Sequence, residues 1–168
     1  MQLAQINVGR LLHPIDDPRM ADFADNLDKI NALAEASEGF VWRLKDETGN
    51  ATGIAAYEDP AIIVNMSVWT SPEALYAFAY QTAHRRFVQR RKEWFQLFDG
   101  PYLALWWVEE GAMPNVADGR RRLDYLARVG PTAYAFNFRK LFAAAEAEPV
   151  VDLNQVAPVP AEACRSRG

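Results

Sequence analysis

Two stretches of this chain carry the same punctuation in the same order, and that duplication constrains the fold more than any composition does. Leu3 to Arg10 is an apolar run with alternating character, followed by the breaker cluster His13-Pro14-Ile15-Asp16-Asp17-Pro18. Asp17 is placed to cap a helix that starts at Pro18, and Met20, Phe23, Leu27, Ile30 and Ala34 recur at the spacing of one buried helical stripe. Gly39 stops that helix, and Phe40-Val41-Trp42-Arg43-Leu44 reads as a short aromatic strand ending in the polar turn Lys45 to Asn50. Ile54 to Tyr57 is either a brief extra strand or an extended loop. The second copy opens with the β run Ala61 to Thr70 and repeats the cap at Thr70-Ser71-Pro72-Glu73. Leu75, Phe78, Ala79, Ala83, Phe87, Arg91, Trp94 and Phe98 carry a helix, interrupted near His84, to the stop Asp99-Gly100-Pro101, after which Tyr102 to Val108 is the fourth strand.

Strand, helix and strand therefore occur twice in tandem. This arrangement predicts an α+β, ferredoxin-like βαββαβ sheet of four antiparallel strands with both helices on one face. A further helix is expected from Val116 to Arg128, capped by Asn115 and closed by Gly130-Pro131, and a strand from Tyr134 to Arg139 that pairs with a sheet edge or with a partner chain. The ordered domain is expected to span 1–142. From 143 to 168 the composition turns to Ala, Pro, Glu and Val without periodicity, which predicts a poorly ordered tail.

Strand periodicity separates two sets of side chains. Ala4, Ile6 and Val8 oppose Gln5 and Asn7, while Val64, Met66 and Val68 oppose Asn65, Ser67 and Trp69. The apolar set is expected under the helices, which leaves the mixed set, with one of Trp106 or Trp107, on an uncovered face. Two such faces packed together would make a homodimeric α/β barrel enclosing a chamber for a small molecule. Arg43 falls inside this chamber if Trp42 points away, and outside if it does not. Inside, it requires an anion, from a ligand or from an acidic side chain of a partner subunit.

Composition removes other classes. A net charge of −4 argues against a general nucleic-acid binder or a protein of anionic membranes, and no apolar run approaches the roughly 20 residues of a membrane span. The N-terminal residues lack a signal-peptide layout, so the expected location is cytoplasmic. One cysteine, Cys164, and two histidines, His13 and His84, in 168 residues argue against a disulfide framework, an iron–sulfur site or a His-rich metal site. No resident cofactor is expected, with haem as the alternative.

The stretch His84 to Phe95 combines charge with rings. On a helix His84, Val88, Arg91 and Phe95 share a strip, while Arg85, Arg86, Gln89 and Lys92 point outward as a solvated face. His84 has three readings: a core histidine bonded to a carbonyl, a general base at the edge of the chamber, or an axial haem ligand. His13, which precedes a proline in a loop, is taken as structural.

With these residues assembled, the chain resembles an uncharacterised bacterial family of the dimeric α/β-barrel superfamily, which includes antibiotic-biosynthesis monooxygenases. The resemblance covers nearly all of residues 1–142. It is carried by Leu3-Ala4-Gln5-Ile6-Asn7, Gly39 to Leu44, His84-Arg85-Arg86-Phe87, Arg91 to Phe95, Leu105-Trp106-Trp107, and Gly130-Pro131-Thr132 followed by Ala135 to Arg139. It implies a small-molecule protein. Cofactor-independent monooxygenases of the superfamily use pocket Asn, Trp and His groups on aromatic or enolisable compounds, which here implies Asn7, Asn65 and Trp69, with His84 as the base. Trp106 is expected as a second wall, and Arg43 and Arg91 as further binding groups. Other relatives bind haem through a helical His, as His84 would, and others only bind ligands or partners.

Overall fold

The computed structural model describes residues 1–97 and 100–147. Four strands, β1 (Gln2–Arg10), β2 (Phe40–Arg43), β3 (Ile62–Trp69) and β4 (Leu103–Val108), form one antiparallel sheet in the order β2-β3-β1-β4. β1 and β2 run the same way with β3 between them, and β3 and β4 enclose β1 in the same manner, so the two βαβ units interleave. The result is an α+β sheet with helices.

Both crossovers begin where the sequence places a cap. Asp17 accepts from the Arg19 amide ahead of the 3-10 turn Pro18–Met20, and Ser71 accepts from the Ala74 amide at the start of α3 (Pro72–Gln81). The first crossover is not one helix. It divides into the 3-10 turn, the short α1 (Ala21–Ala24) and α2 (Leu27–Glu35). The second breaks where expected: the Thr82 hydroxyl donates to the Phe78 carbonyl at 2.6 Å and accepts from the His84 amide at 3.2 Å, closing α3 and opening α4 (His84–Arg90). α4 ends at Arg90 and passes into the 3-10 turn Arg91–Glu93, short of the predicted stop at Asp99-Gly100-Pro101, of which Phe98 and Asp99 lie outside the described residues. The 44–61 connection forms no strand.

α5 (Val116–Val129) carries the reciprocal cap, with Asn115 accepting from the Asp118 amide and Asp118 from the Asn115 amide. Gly130 ends it at φ +85°, in the left-handed region that favours glycine. The Tyr134–Arg139 segment does pair with a sheet edge, through one bridge: Leu105 of β4 and Phe136 exchange backbone hydrogen bonds of 2.8 and 2.9 Å. Residues 144–146 form a 3-10 turn. The rest of the predicted tail, 148–168, with Cys164, lies outside the described residues.

The strand phases are as expected, but the layers are reversed. Ala4, Ile6, Val8, Val64, Met66, Val68, Ala104 and Trp106 pack against Leu123, Tyr125 and Leu126 of α5, with Ala56, Tyr134 and Ala135 completing the cluster. α5 approaches β1 so closely that a Cβ on Gly119 would lie 2.5 Å from Ile6 Cδ1. The mixed set is on the other face, where Leu3, Trp69 and Leu105 meet Ala34 of α2 and Leu75 of α3. Both crossovers thus cover the polar face and α5 the apolar one. The sheet has no bare face, and the dimer and barrel expected from such a face lose the surface they rested on. The physical reason is that α5 has its own apolar stripe, and burying that stripe on the most apolar side of the sheet removes the largest area from water.

Candidate functional site

The polar set of strand residues forms a connected floor. Gln5, only 3 % exposed, donates through Nε2 to Asn65 Oδ1 at 2.7 Å and to Ser67 Oγ at 2.9 Å, and its Oε1 accepts from Asn7 Nδ2 at 3.4 Å. Ser67 Oγ also accepts from Trp69 Nε1 at 2.8 Å. These contacts follow from register, since Gln5 faces Ser67 and Asn7 faces Asn65 across β1 and β3. A buried amide must be paired in this way or lose roughly 1–3 kcal/mol.

Helices and floor do not close on each other. Between them lies a cavity of about 390 Å³, within the range of small-molecule sites. Its apolar walls include Phe23, Phe40, Trp69, Phe78, Phe87 and Phe95. Asn65 is exposed although β3 is an interior strand, because its amide looks into this open space. Gly9 lines the same space, where a Cβ would lie 2.6 Å from the Phe95 ring, so a side chain there would displace that wall. Among the described residues no Asp or Glu lines the cavity, whereas Arg43, Arg91 and Lys92 do.

His84 stands at the break between α3 and α4 and lines the cavity. Its ring stacks on Phe78 with centroids 4.8 Å apart, and Nδ1 lies 3.2 Å from the Ala79 carbonyl. A carbonyl only accepts, so Nδ1 carries the proton and the neutral ring keeps an unprotonated Nε2. Burial lowers its pKa below the ordinary 6.5, against the smaller opposing effect of the Ala79 carbonyl, and the imidazole is neutral at pH 7. Val88 lines the cavity with it on α4, and Arg91 and Phe95 do so from beyond the end of that helix, through the 3-10 turn Arg91–Glu93 and the Leu11–Phe95 bridge. Lys92, expected to point outward, is also in the lining, whereas Arg85, Arg86 and Gln89 are exposed.

Arg43 reaches the cavity face through a bulge. Phe40 faces Trp69 and Trp42 faces Val68, so two steps of β2 span one of β3 and Val41 is the extra residue. Phe40 and Arg43 therefore share the polar face, and Trp42 joins the apolar one. Arg43 finds an anion within its own chain: Nε meets Glu35 Oε1 of α2 at 2.8 Å, and Nη1 donates to the Gly49 carbonyl at 2.7 Å. Arg91 Nη1 donates to the Tyr102 hydroxyl at 2.6 Å, with its guanidinium over that ring.

Asn7, Arg43, Asn65, Trp69, His84 and Arg91 are thus gathered around one cavity. Trp106 is not among them. It is 1 % exposed on the opposite face, with the Arg122 guanidinium 5.7 Å above its ring and Tyr134 beyond. Trp107 shares the cavity's face but donates to the Phe142 carbonyl, away from the opening. Tyr102 is the member that sequence reasoning passes over, whereas it places Gln5 and Ser67 on this face without naming them as binding groups. The alternation that selected Asn7 and Asn65 also marks Gln5 and Ser67.

Among the described residues no helix is long and apolar enough to cross a membrane, and no cluster of His, Cys, Asp and Glu could hold a metal ion. A protein of unknown function from Nitrosomonas europaea aligns at 14 % identity over 68 % of this chain and 95 % of its own, with a TM-score of 0.43. A Pseudomonas aeruginosa protein aligns at 15 % over 66 % and 95 %, with a TM-score of 0.42. No curated protein matches the chain. A family model described as "Domain of unknown function (DUF3291)" matches residues 2–152, and the chain belongs to that family.

Proposed function

We propose that this protein binds a small aromatic or enolisable molecule in the cavity between its polar sheet face and helices α2 to α4, and that His84 takes a proton from it in a cofactor-independent, monooxygenase-like reaction. The carrying observation is the cavity itself: about 390 Å³ of ring-walled space over a floor of linked amides, with a neutral imidazole at its edge. Trp69 and Phe78 would hold a planar body, Asn7 and Asn65 would orient its oxygens, and Nε2 of His84 would accept the proton. The resulting anion would be the species that meets dioxygen, a CH2 group and O2 giving a carbonyl and water. The interleaved βαβ units support the ferredoxin-like reading of the sheet.

The test begins with native mass spectrometry of the protein as purified, to identify any retained molecule. That molecule, or a planar phenolic ketone if none is retained, is then supplied while oxygen uptake is followed. His84→Ala should stop turnover while binding persists. Turnover unchanged in that variant removes His84 from the chemistry, and a cavity that binds no molecule overturns the reading. The pinned Nδ1 also suits a metal-ligating histidine, whose second nitrogen is usually held by such a partner. Haem bound in this way would give a Soret band that His84→Ala abolishes.

A further inference from the structure

The charge around the cavity is one-sided. The chain carries a net −4, yet among the described residues the cavity lining holds three cations and no carboxylate. Several arginines elsewhere are matched to acids, Arg10 to Asp59, Arg19 to Asp17, Arg90 to Asp22 and Glu93, and Arg121 to Asp118, while Arg120 and Arg122 donate to the Ala56 and Tyr134 carbonyls. Arg43, inside the lining, is neutralised by Glu35. Arg91 differs. Its contacts are the hydroxyl and ring of Tyr102, and among the described residues no carboxylate lies within ion-pair distance of it. A guanidinium offers five donors in a planar fork, and one bond to a hydroxyl leaves most of that fork unused.

Position makes this arginine part of the opening. Tyr102 is 40 % exposed, and its carbonyl accepts from the Val8 amide at 2.9 Å, one step along β1 from Asn7. The Arg91–Tyr102 pair therefore stands beside the amide floor, between that floor and solvent, with Lys92 next to it. Aromatic rings occupy the interior.

We infer that the cavity takes an amphipathic anion, an aromatic or aliphatic carboxylate, with its carboxylate on the Arg91 guanidinium and the Tyr102 hydroxyl and its apolar body directed toward Trp69 and Phe78. This rests on the reading of the cavity as a small-molecule site and adds the class of ligand. The carboxylate supplies the missing counter-charge, the fork matches two carboxylate oxygens, and the rings bury what water does not solvate.

The experiment is calorimetric titration of the full chain with naphthoate, phenylalkanoates and C8 to C12 alkanoates, each beside its primary amide. Acids should bind more tightly than their amides by about ten- to a hundredfold, the range of a charge-assisted hydrogen-bond pair. Arg91→Gln should remove that preference and leave amide binding unchanged, and Tyr102→Phe should reduce it. Arg85→Gln, on the exposed side of α4, should change nothing. Acids and amides bound equally, or a preference that survives Arg91→Gln, overturns the inference while leaving the cavity as a ligand site. Failure of every acid and amide to bind overturns both.

Discussion

The two faces of the sheet are made by alternate residues of the same strands, and they do opposite work. On one, Ala4, Ile6, Val8, Met66 and Trp106 meet α5 with no space between the layers, to the point that only glycine fits at 119. On the other, Gln5, Asn7, Asn65 and Ser67 bond to one another and the helices stand off, leaving about 390 Å³. Stability and ligand space are separated by the thickness of one sheet. A polar floor satisfied within itself does not need a helix pressed against it, whereas an apolar face gains with every contact.

If that separation holds, substitutions on the α5 face should cost stability and leave the cavity's binding intact. Trp106→Ala should lower unfolding free energy by about 3–5 kcal/mol in urea titrations, with the folded fraction binding ligands as before. Loss of binding at unchanged stability would break the comparison. Gly119→Val comes next, at about 1–3 kcal/mol, because its branched side chain must displace Ile6. Crossing to the other face, Asn65→Ala should cost only about 0.5–1.5 kcal/mol, since Gln5 keeps its bond to Ser67. Its larger effect should be on affinity, read by the same calorimetry.

The smallest effect concerns pH. His84 has a pKa lowered by burial, so the unfolded chain binds more protons than the folded one between that lowered value and 6.5. Its contribution to stability is complete above about 6.5 and is lost as pH falls through this window. Thermal melts from pH 7 to pH 5 should show the decline, and His84→Gln should flatten it. An unaltered slope would mean that the imidazole is not held in an environment that disfavours its charge.

The parts of this arrangement legible in the sequence are those fixed by backbone geometry. A period of two separates Gln5 from Ile6, and a helical period aligns His84 with Val88, whereas Arg91 and Phe95 reach the same cavity from beyond the end of α4. The caps at Asp17, Ser71 and Asn115 are equally local. What periodicity does not contain is which layer covers which face. That is a competition between helices for apolar area, and α5, written as an appendage after the duplicated units, takes the better surface. The bulge at Val41 is illegible for a related reason, since Phe-Val-Trp-Arg suits either phase and only pairing with β3 selects Arg43 for the cavity. The separation of α1 from α2 at Asp25-Asn26 likewise carries no breaker residue strong enough to announce it.

Chain order gives the position of α5 a consequence during synthesis. Both βαβ units, and with them all of the cavity lining except Phe138, are encoded by residue 108, whereas the cover of the apolar face begins at Val116. A ribosome therefore releases a nearly finished sheet with Ala4, Ile6, Val8, Met66 and Val68 still wet, and at some 5–20 residues per second the helix that hides them follows about a second or more later. For that interval the nascent chain presents a sticky surface to chaperones and to its neighbours on the same message. Truncations ending before 116 should accumulate as aggregates even though they encode every strand and nearly all of the candidate site.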